Sequence, residues 1–435
     1  MTATRMAMTV ATSLCSLALV LLATATSASA LKVDSTLLEK AKEDHVWLLS
    51  IRRELHTKPE LMYKEYETSK VIQRELESIG IPFVAGIGGT GVVATLGSGE
   101  GPVIGLRADM DALPLDEESS VEFKSENEGR MHACGHDIHV TMLLGAARLL
   151  KRMEKQGELG RGTIKLCFQP AEEGGAGALH MRKYLDEAGV QLKSMFGFHV
   201  WPNLATGKVA TRRGTIMASA AFFKCFFKGK GTHGAMPHLG TDPVVAASAA
   251  IQALQTLVSR TSSPFDSSVV SVTQFKAGEA LNVIPDKTMI GGTVRAMTEE
   301  TMRNLIERAT MIMESIGKAH GCEVVVDFME KDHPVTPPVV NSKASHELVS
   351  SVGKALLGED SVIETEPSMA AEDFSYYTQN NDGAFTFLGI QGGADGTFPL
   401  HHPKFTADEN VLPIGVAFHT ALALSSLGEN TKSEL

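Results

Sequence analysis

Nine consecutive residues, Met131-His132-Ala133-Cys134-Gly135-His136-Asp137-Ile138-His139, hold three histidines, a cysteine and an aspartate. Cys134 and His136 flank a glycine, so a tight turn there brings a thiolate and an imidazole toward one point. Soft sulfur, borderline nitrogen and hard oxygen donors together suit divalent transition metals. Any one of these residues alone reads as part of a polar loop leading into a helix; the cluster reads as part of a metal site. Similar groups recur along the chain. Asp109 and Asp111 follow the apolar run 103–106, and they share a face if that strand continues. Glu172 and Glu173 follow the run 163–168 and precede glycines that let backbone approach a ligand. Adjacent glutamates point in different directions, so one can hold a metal while the other handles protons; the competing reading is an acidic helix start. His199 stands beside Trp201-Pro202, and His401 lies in Leu400-His401-His402-Pro403. Together these residues suffice for two divalent ions and a shared water. Such ions polarise a carbonyl oxygen and bring the water's pKa toward about 7. A nearby carboxylate then carries the proton to a leaving amine.

The elements that must position these groups follow an α/β order. Helical periodicity covers much of residues 35–79, with Gly80 as the stop. His56 reads there as a helix-surface residue. Strands are predicted over 91–96 and 103–106, a helix over 140–153, and strands over 163–168 and 194–201. The chemistry-bearing residues fall at strand ends or loops, where open α/β sheets place their sites. Near Gly214 the pattern changes. Strand 220–228, a helix from Pro243 with Asp242 ahead of it, strands 268–275 and 289–297, a helix opening at Thr298 and strand 324–328 form a β-α-β-β-α-β order. That describes a ferredoxin-like insert, and the proline-rich stretch 331–338 reads as its hinge. The expected fold is an α/β catalytic domain with a mixed central sheet and an inserted α+β satellite. Its expected divisions are a signal peptide at 1–30, a first catalytic segment at 31–213, the satellite at 214–330, a second catalytic segment at 331–428 and a tail at 429–435. The satellite carries His233, Asn282 and Arg295 at loop and strand-end positions, where each alone would be an ordinary surface group.

Composition narrows the class. The 435 residues are 43% hydrophobic and 21% charged, an ordinary globular balance. A net charge of -11 and the lack of any basic run argue against nucleic acid. Arg5, the apolar stretch 13–23 and Ala28-Ser29-Ala30 form a secretory leader. No later stretch reads as a membrane span. The cysteines left after the leader, Cys134, Cys167, Cys225 and Cys322, are too few for a disulfide scaffold. Cys225 and Cys322 read as buried core. Lys432-Ser433-Glu434-Leu435 is similar to an ER-retention tail, so the ER lumen is expected, with secretion or a vacuole as alternatives.

The motifs, in their order and spacing, resemble plant IAA-amino acid hydrolases, the auxin-conjugate amidohydrolases within the wider aminoacylase and carboxypeptidase-type metallopeptidases. RADMDALP at 107–114, MHACGHD at 131–137, FQPAEEGGAGA at 168–178 and FHVWP at 198–202 carry the resemblance. AMPH at 235–238, ALNVIPD at 280–286, AEDFSYY at 371–377 and LPIG at 412–415 extend it over almost the whole mature chain. The resemblance implies metal ligation by Cys134, His136, Glu173, His199 and His401. It implies Glu172 as the general base, with His233 over the substrate carbonyl and Asp111 beside them among the catalytic residues. Asp109 and Asp111, as a strand-end acidic motif, would orient ligands, and Asn282 and Arg295 would meet the substrate carboxylate. Two divalent ions are implied, manganese first, with zinc or cobalt as alternatives. The implied substrate is a small N-acyl amino acid, and a homodimer through the satellite is a further expectation. Ala370, Thr232-His233-Gly234 and His402 depart from the usual pattern without removing a ligand. They bear on substrate preference, and His402 adds a second ligand candidate beside His401. A broader N-acyl-amino acid hydrolase, acting on hippurate-like or acetyl substrates, remains open. So do a non-catalytic binder and a hydrolase using Cys134 as nucleophile.

Overall fold

Helices α1 (Leu37–Lys42), α2 (His45–Thr57) and α3 (Tyr66–Ile79) come first, and Gly80 ends the third at φ 79°, a left-handed value that suits glycine. Strands β1 (Phe83–Ile87), β2 (Gly91–Gly97) and β3 (Val103–Asp109) follow. Then come helix α4 (His136–Lys155), β4 (Thr163–Gln169), the one-turn α5 (Glu172–Gly175), α6 (Gly177–Glu187), β5 (Leu192–Ala205) and β6 (Val209–Thr211). After β7 (Gly214–Met217) the chain builds β8 (Ser219–Lys228), β9 (Thr232–His233), α7 (Pro243–Thr256), β10 (Ser268–Ala277), β11 (Val283–Ile284), β12 (Lys287–Ala296), α8 (Glu299–Ala319) and β13 (Glu323–Asp327). It returns through β14 (Val339–Asn341), α9 (Lys343–Leu357), β15 (Val362–Glu364), α10 (Ser375–Thr378), β16 (Asp382–Gln391) and α11 (Val411–Gly428). These elements come from a computed structural model, which describes residues 33–428. The leader and the retention-like tail read from the sequence lie outside the described residues.

Two sheets organise these elements. The larger has eight strands in the order β1-β2-β4-β3-β5-β16-β6-β15. Its central pairs β4/β3, β3/β5 and β5/β16 are parallel, and β1/β2 and β2/β4 are antiparallel, so the sheet is mixed. The central strands are near-continuous apolar runs because both faces are covered. Strand β16 was not expected: its mostly apolar run, broken only by Thr386, lacks a clear polar alternation to mark a strand. The smaller sheet runs β10-β12-β8-β13, all antiparallel, with α7 and α8 packed on it through Ala246, Ala250, Leu254, Leu305 and Met313. The strand order is that of the expected ferredoxin-like unit. Asp242 caps α7, accepting from Val244 N at 2.8 Å, with Pro243 at the first helical position.

The final helix corrects one expectation. By length and composition α11 is apolar enough to cross a membrane. Here 78% of its 18-residue stretch is buried inside the fold, where it packs on α4. Cys134, Cys167, Cys225 and Cys322 are buried and unbridged.

A second correction concerns how α4 is held. The helix begins at His136, four residues earlier than expected, and α2 pins that end. Arg52 Nε lies 3.0 Å and His56 Nδ1 2.7 Å from Asp137 Oδ2. His56 Nε2 faces Glu117 at 3.2 Å. His56 is therefore buried, not a helix-surface residue. Burial and Arg52 oppose a charge on its ring, but Asp137 and Glu117 outweigh them and raise its pKa. Its stabilising contribution is then complete below the unfolded value of about 6.5 and fades as pH rises through the raised folded value. His56→Gln is predicted to lower the urea midpoint most near about pH 5 and progressively less toward about pH 9. A gap that widens with pH would contradict the assignment.

Candidate metal centre and active-site cleft

The carboxyl ends of β3 and β4 meet the middle of β5 and the start of α4. Gly135 makes the first approach feasible. It takes φ 82° just before α4, and a Cβ there would lie 2.5 Å from Val200 Cγ2. Only glycine fits, and Cys134 and His136 sit on either side of it. His136 Nδ1 lies 2.8 Å from the Asp111 carbonyl. A carbonyl only accepts, so Nδ1 carries a proton and Nε2 is left to face the site. His199 repeats this device, with Nδ1 2.7 Å from the Val200 carbonyl and Nε2 3.3 Å from Cys134 Sγ. It lies within β5 rather than at a strand end. His401 has φ 63°, donates its backbone N–H to Ala133 O at 2.9 Å, and places Nε2 3.2 Å from Glu173 Oε1. His402 turns away: its ring stacks on Phe398 with centroids 4.6 Å apart.

Two triads result. Ligand atoms of Cys134, His136 and His199 all lie within 4.8 Å of one another, and so do those of Cys134, Glu173 and His401. Cys134 belongs to both. His136, Glu172 and Glu173 form a further group of the same size.

The turn bearing the two glutamates is not a regular helix. Ala171 has φ 54°, Glu173 has ψ 48° and Gly174 has φ 102°. Asp111 holds it: Oδ1 accepts from Glu172 N at 3.0 Å and Oδ2 from Glu173 N at 3.1 Å. The Tyr63 hydroxyl adds a bond to the Gly175 carbonyl. Asp111 was expected to orient ligands with Asp109 from one strand face, and to stand among the catalytic residues. Strand β3 instead stops at Asp109. Both Asp111 oxygens accept from backbone amides and Oδ1 also lies 3.3 Å from His136 Nδ1, so it positions the turn and the His136 ring.

Beneath the cluster lies a network in which Asp109 alone was assigned a role from the sequence. Arg107 is fully buried and donates from Nε to Gln169 (2.9 Å), from Nη1 to Asp109 (2.6 Å), and from Nη2 to Glu372 (2.7 Å) and Asp373 (2.9 Å). Burial alone would lower its pKa, but the carboxylates around it keep it charged. Asp109 also meets His139 Nδ1 at 2.5 Å, and His139 Nε2 accepts the Val200 N–H at 2.9 Å. The signal for Arg107 was present in the sequence, just ahead of the acidic strand end, but burial of an arginine is invisible without its three acid partners.

The electrostatics ask for cations. Burial drives Glu172 well above the usual carboxylate range, and the nearby charges of Glu372 and Glu173 add to it. Burial likewise pushes Glu372 up to about 8 and Asp373 to about 6 in spite of Arg107. One guanidinium does not neutralise these acids together with Asp109 and Asp111. Burial, then the glutamates, holds the Cys134 thiol well above its ordinary value. His136 is raised to about 10 by Asp109 and Asp111 against the cost of burial, so positive charge is favoured at its free nitrogen. His136 Nε2 is buried without a hydrogen-bond partner, and buried Glu173 Oε1 faces the His401 ring. Donor atoms of these types, gathered in an anionic pocket, fit divalent cations.

The cluster opens into a cleft of about 620 Å³ between the two sheets. Trp201, Met217, Phe222, Met369 and His333 form much of its wall, with Arg295 among them. Arg295 is half-buried and donates to the Met369 carbonyl at 2.8 Å. His233 and Asn282 are not brought to this cleft. His233 pairs with Val283 in the short β9/β11 ladder, and both His233 and Asn282 are exposed on the satellite.

The family described as "Peptidase family M20/M25/M40" matches residues 105–425. The chain is 44% identical to the Arabidopsis thaliana protein named IAA-amino acid hydrolase ILR1-like 4, over 92% of this chain and 90% of that one. It is 41% identical to an N-acetyl-L-cysteine deacetylase of Bacillus subtilis, over 89% of this chain and 90% of the relative. Among solved structures, the Bacillus subtilis YXEP protein, described as a dinuclear metal binding peptidase from M20 family, superposes with a TM-score of 0.75 at 34% identity. That match covers 89% of this chain and 99% of the other.

Asp111→Asn keeps one acceptor and loses the other. It is predicted to weaken divalent-metal binding by about 10–100-fold, read by competition with a fluorescent chelator, while the folded spectrum is kept. Unchanged affinity would show that the turn does not need this carboxylate.

Proposed function

Because this chain belongs to peptidase family M20/M25/M40, as a metal-dependent amidohydrolase, we propose that it cleaves the amide bond of indole-3-acetic acid–amino acid conjugates, releasing free auxin and amino acid. The observation that carries the chemistry is the pair of ligand triads sharing Cys134, with Glu172 beside them. The name of the Arabidopsis relative supports the substrate. Cys134, His136, Glu173, His199 and His401 would hold two divalent ions. When bound, such ions lower the pKa of a shared water and polarise the amide carbonyl. We take manganese as the metal. The carboxylate donor suits it, while the imidazoles and the thiolate also suit zinc, with cobalt as a further alternative.

The chain's own residues supply the rest. Glu172 takes the proton of the attacking water and delivers it to the amine nitrogen as the C–N bond breaks. Arg295, on the cleft wall, meets the substrate carboxylate. Trp201 and Phe222 offer aromatic faces to an aryl acyl group.

Activity of chelated protein, with Mn²⁺, Zn²⁺ or Co²⁺ restored, is measured on indole-3-acetyl, benzoyl and acetyl amino acids beside Glu172→Gln. Turnover is predicted to require metal and to fall by about 10²–10⁴-fold in the variant. Turnover only on benzoyl or acetyl compounds would replace the auxin assignment with a broader N-acyl-amino acid hydrolase, the reading that the deacetylase relative favours. Turnover that survives chelation would sink the metal mechanism.

The homodimer belongs to this reading. His233 is expected over the substrate carbonyl, yet it is exposed on the satellite beside Met236, Leu239, Leu281 and Val283, all exposed apolar residues. Strand β10 is also an open sheet edge. A second copy seated there reconciles the role with the position. Co-expressed His233→Ala and Glu172→Gln chains are predicted to regain activity that neither has alone. No recovery in a mixed dimer would place His233 outside the partner's site.

A further inference from the structure

The turn that carries Glu172 and Glu173 is held from three directions. Asp111 and Tyr63 hold it from within the catalytic half. The third contact comes from the hinge: His333 Nδ1 lies 3.2 Å from the Gly174 carbonyl. Because a carbonyl only accepts, Nδ1 is the donor. Gly174 directly follows Glu173, and its φ of 102° turns that carbonyl out of any helical register.

His333 also touches the other sheet. Its ring lies 5.4 Å from that of Phe222 on β8, and both line the cleft together with Glu172 and Glu173. The stretch of chain around it is tied on both sides. Thr336 exchanges backbone hydrogen bonds with Ala220 of the satellite, each at 3.0 Å, while Val335 O accepts from the Tyr376 hydroxyl of the catalytic half at 3.0 Å. The segment that holds His333 is one of two chain connections between the satellite and the catalytic sheet, so a shift of the satellite is carried into it.

We propose that His333 is a positioning residue, a latch that links the posture of the satellite to the Glu172–Glu173 turn. With the bond to Gly174 made, Glu173 is held for the metal and Glu172 for the water. With it broken, the turn loses its support on the hinge side. The proposal rests on Glu173 as a ligand and Glu172 as the proton carrier, and it needs no particular substrate.

The test uses full-length protein with His333→Ala and His333→Asn; the asparagine amide keeps an N–H donor at a reach close to that of Nδ1. Mn²⁺ affinity is measured by competition titration, and kcat and KM at saturating Mn²⁺ on the best N-acyl amino acid. The alanine variant is expected to bind Mn²⁺ about tenfold more weakly and to lose kcat with KM little changed, and asparagine is expected to restore both. Unchanged Mn²⁺ affinity in His333→Ala overturns the latch whatever the activity does. So does a defect confined to KM, which would mark a substrate contact, or a failure of asparagine to rescue. If no substrate is turned over at all, the hydrolase reading fails, and the metal titration still decides the latch.

Discussion

One buried guanidinium underlies the whole centre. Arg107 ties Asp109 on its own strand to Gln169 at the end of β4 and to Glu372 and Asp373 from the last third of the chain. Buried carboxylates this close repel one another and would be costly without it. Removing one partner from such a network typically costs about 3–5 kcal/mol. The bonds also carry geometry outward. Asp373 accepts the Ala178 N–H at 3.0 Å, fixing the start of α6 just past the glutamate turn. Asp109 orients His139, and His139 takes the Val200 N–H, so the strand that carries His199 is registered against the same arginine.

Above that base the site is built under constraint. His401 and Ala171 adopt left-handed backbone that side chains seldom take, and Gly135 occupies a position where a Cβ would collide. Each constraint brings a donor atom to the cluster or turns a peptide toward it. The resulting pocket holds acids and a thiol that their surroundings push toward protonation, together with an imidazole nitrogen that lacks a hydrogen-bond partner. A divalent cation resolves both conditions at once, because it replaces protons on the anions and accepts the free lone pairs.

The two sheets divide the work. The large sheet supplies a rigid base whose central strands are buried on both faces. The smaller one contributes a cleft wall, Phe222 and Arg295, and presents His233 and Asn282 on a surface that this cleft does not reach. The segment around His333 joins the two, so satellite posture and the glutamate turn are mechanically connected.

Much of this was legible in the sequence. Cys134, His136, Glu173, His199 and His401 are of types that bind metals, and their motifs mark them before any contact is known. The strand order of the satellite also followed from its periodicity and caps, because these are local properties of the chain. Other features depended on contacts between distant segments. His56 looks like a surface residue until Asp137 and Glu117 close over it. Strand β16 is an apolar run of ambiguous period until β5 and β6 flank it. Arg107 becomes the anchor only when residues 372 and 373 fold back beneath β3, and the choice of His401 over His402 depends on a single left-handed residue. His233 was read as part of the site from its motif alone, and only the tertiary arrangement puts it on the far surface of the satellite. Side-chain chemistry and local periodicity are written in residue order. Burial, charge neutralisation and which of two neighbours faces a ligand are set by contacts across hundreds of residues, and only the folded chain decides them.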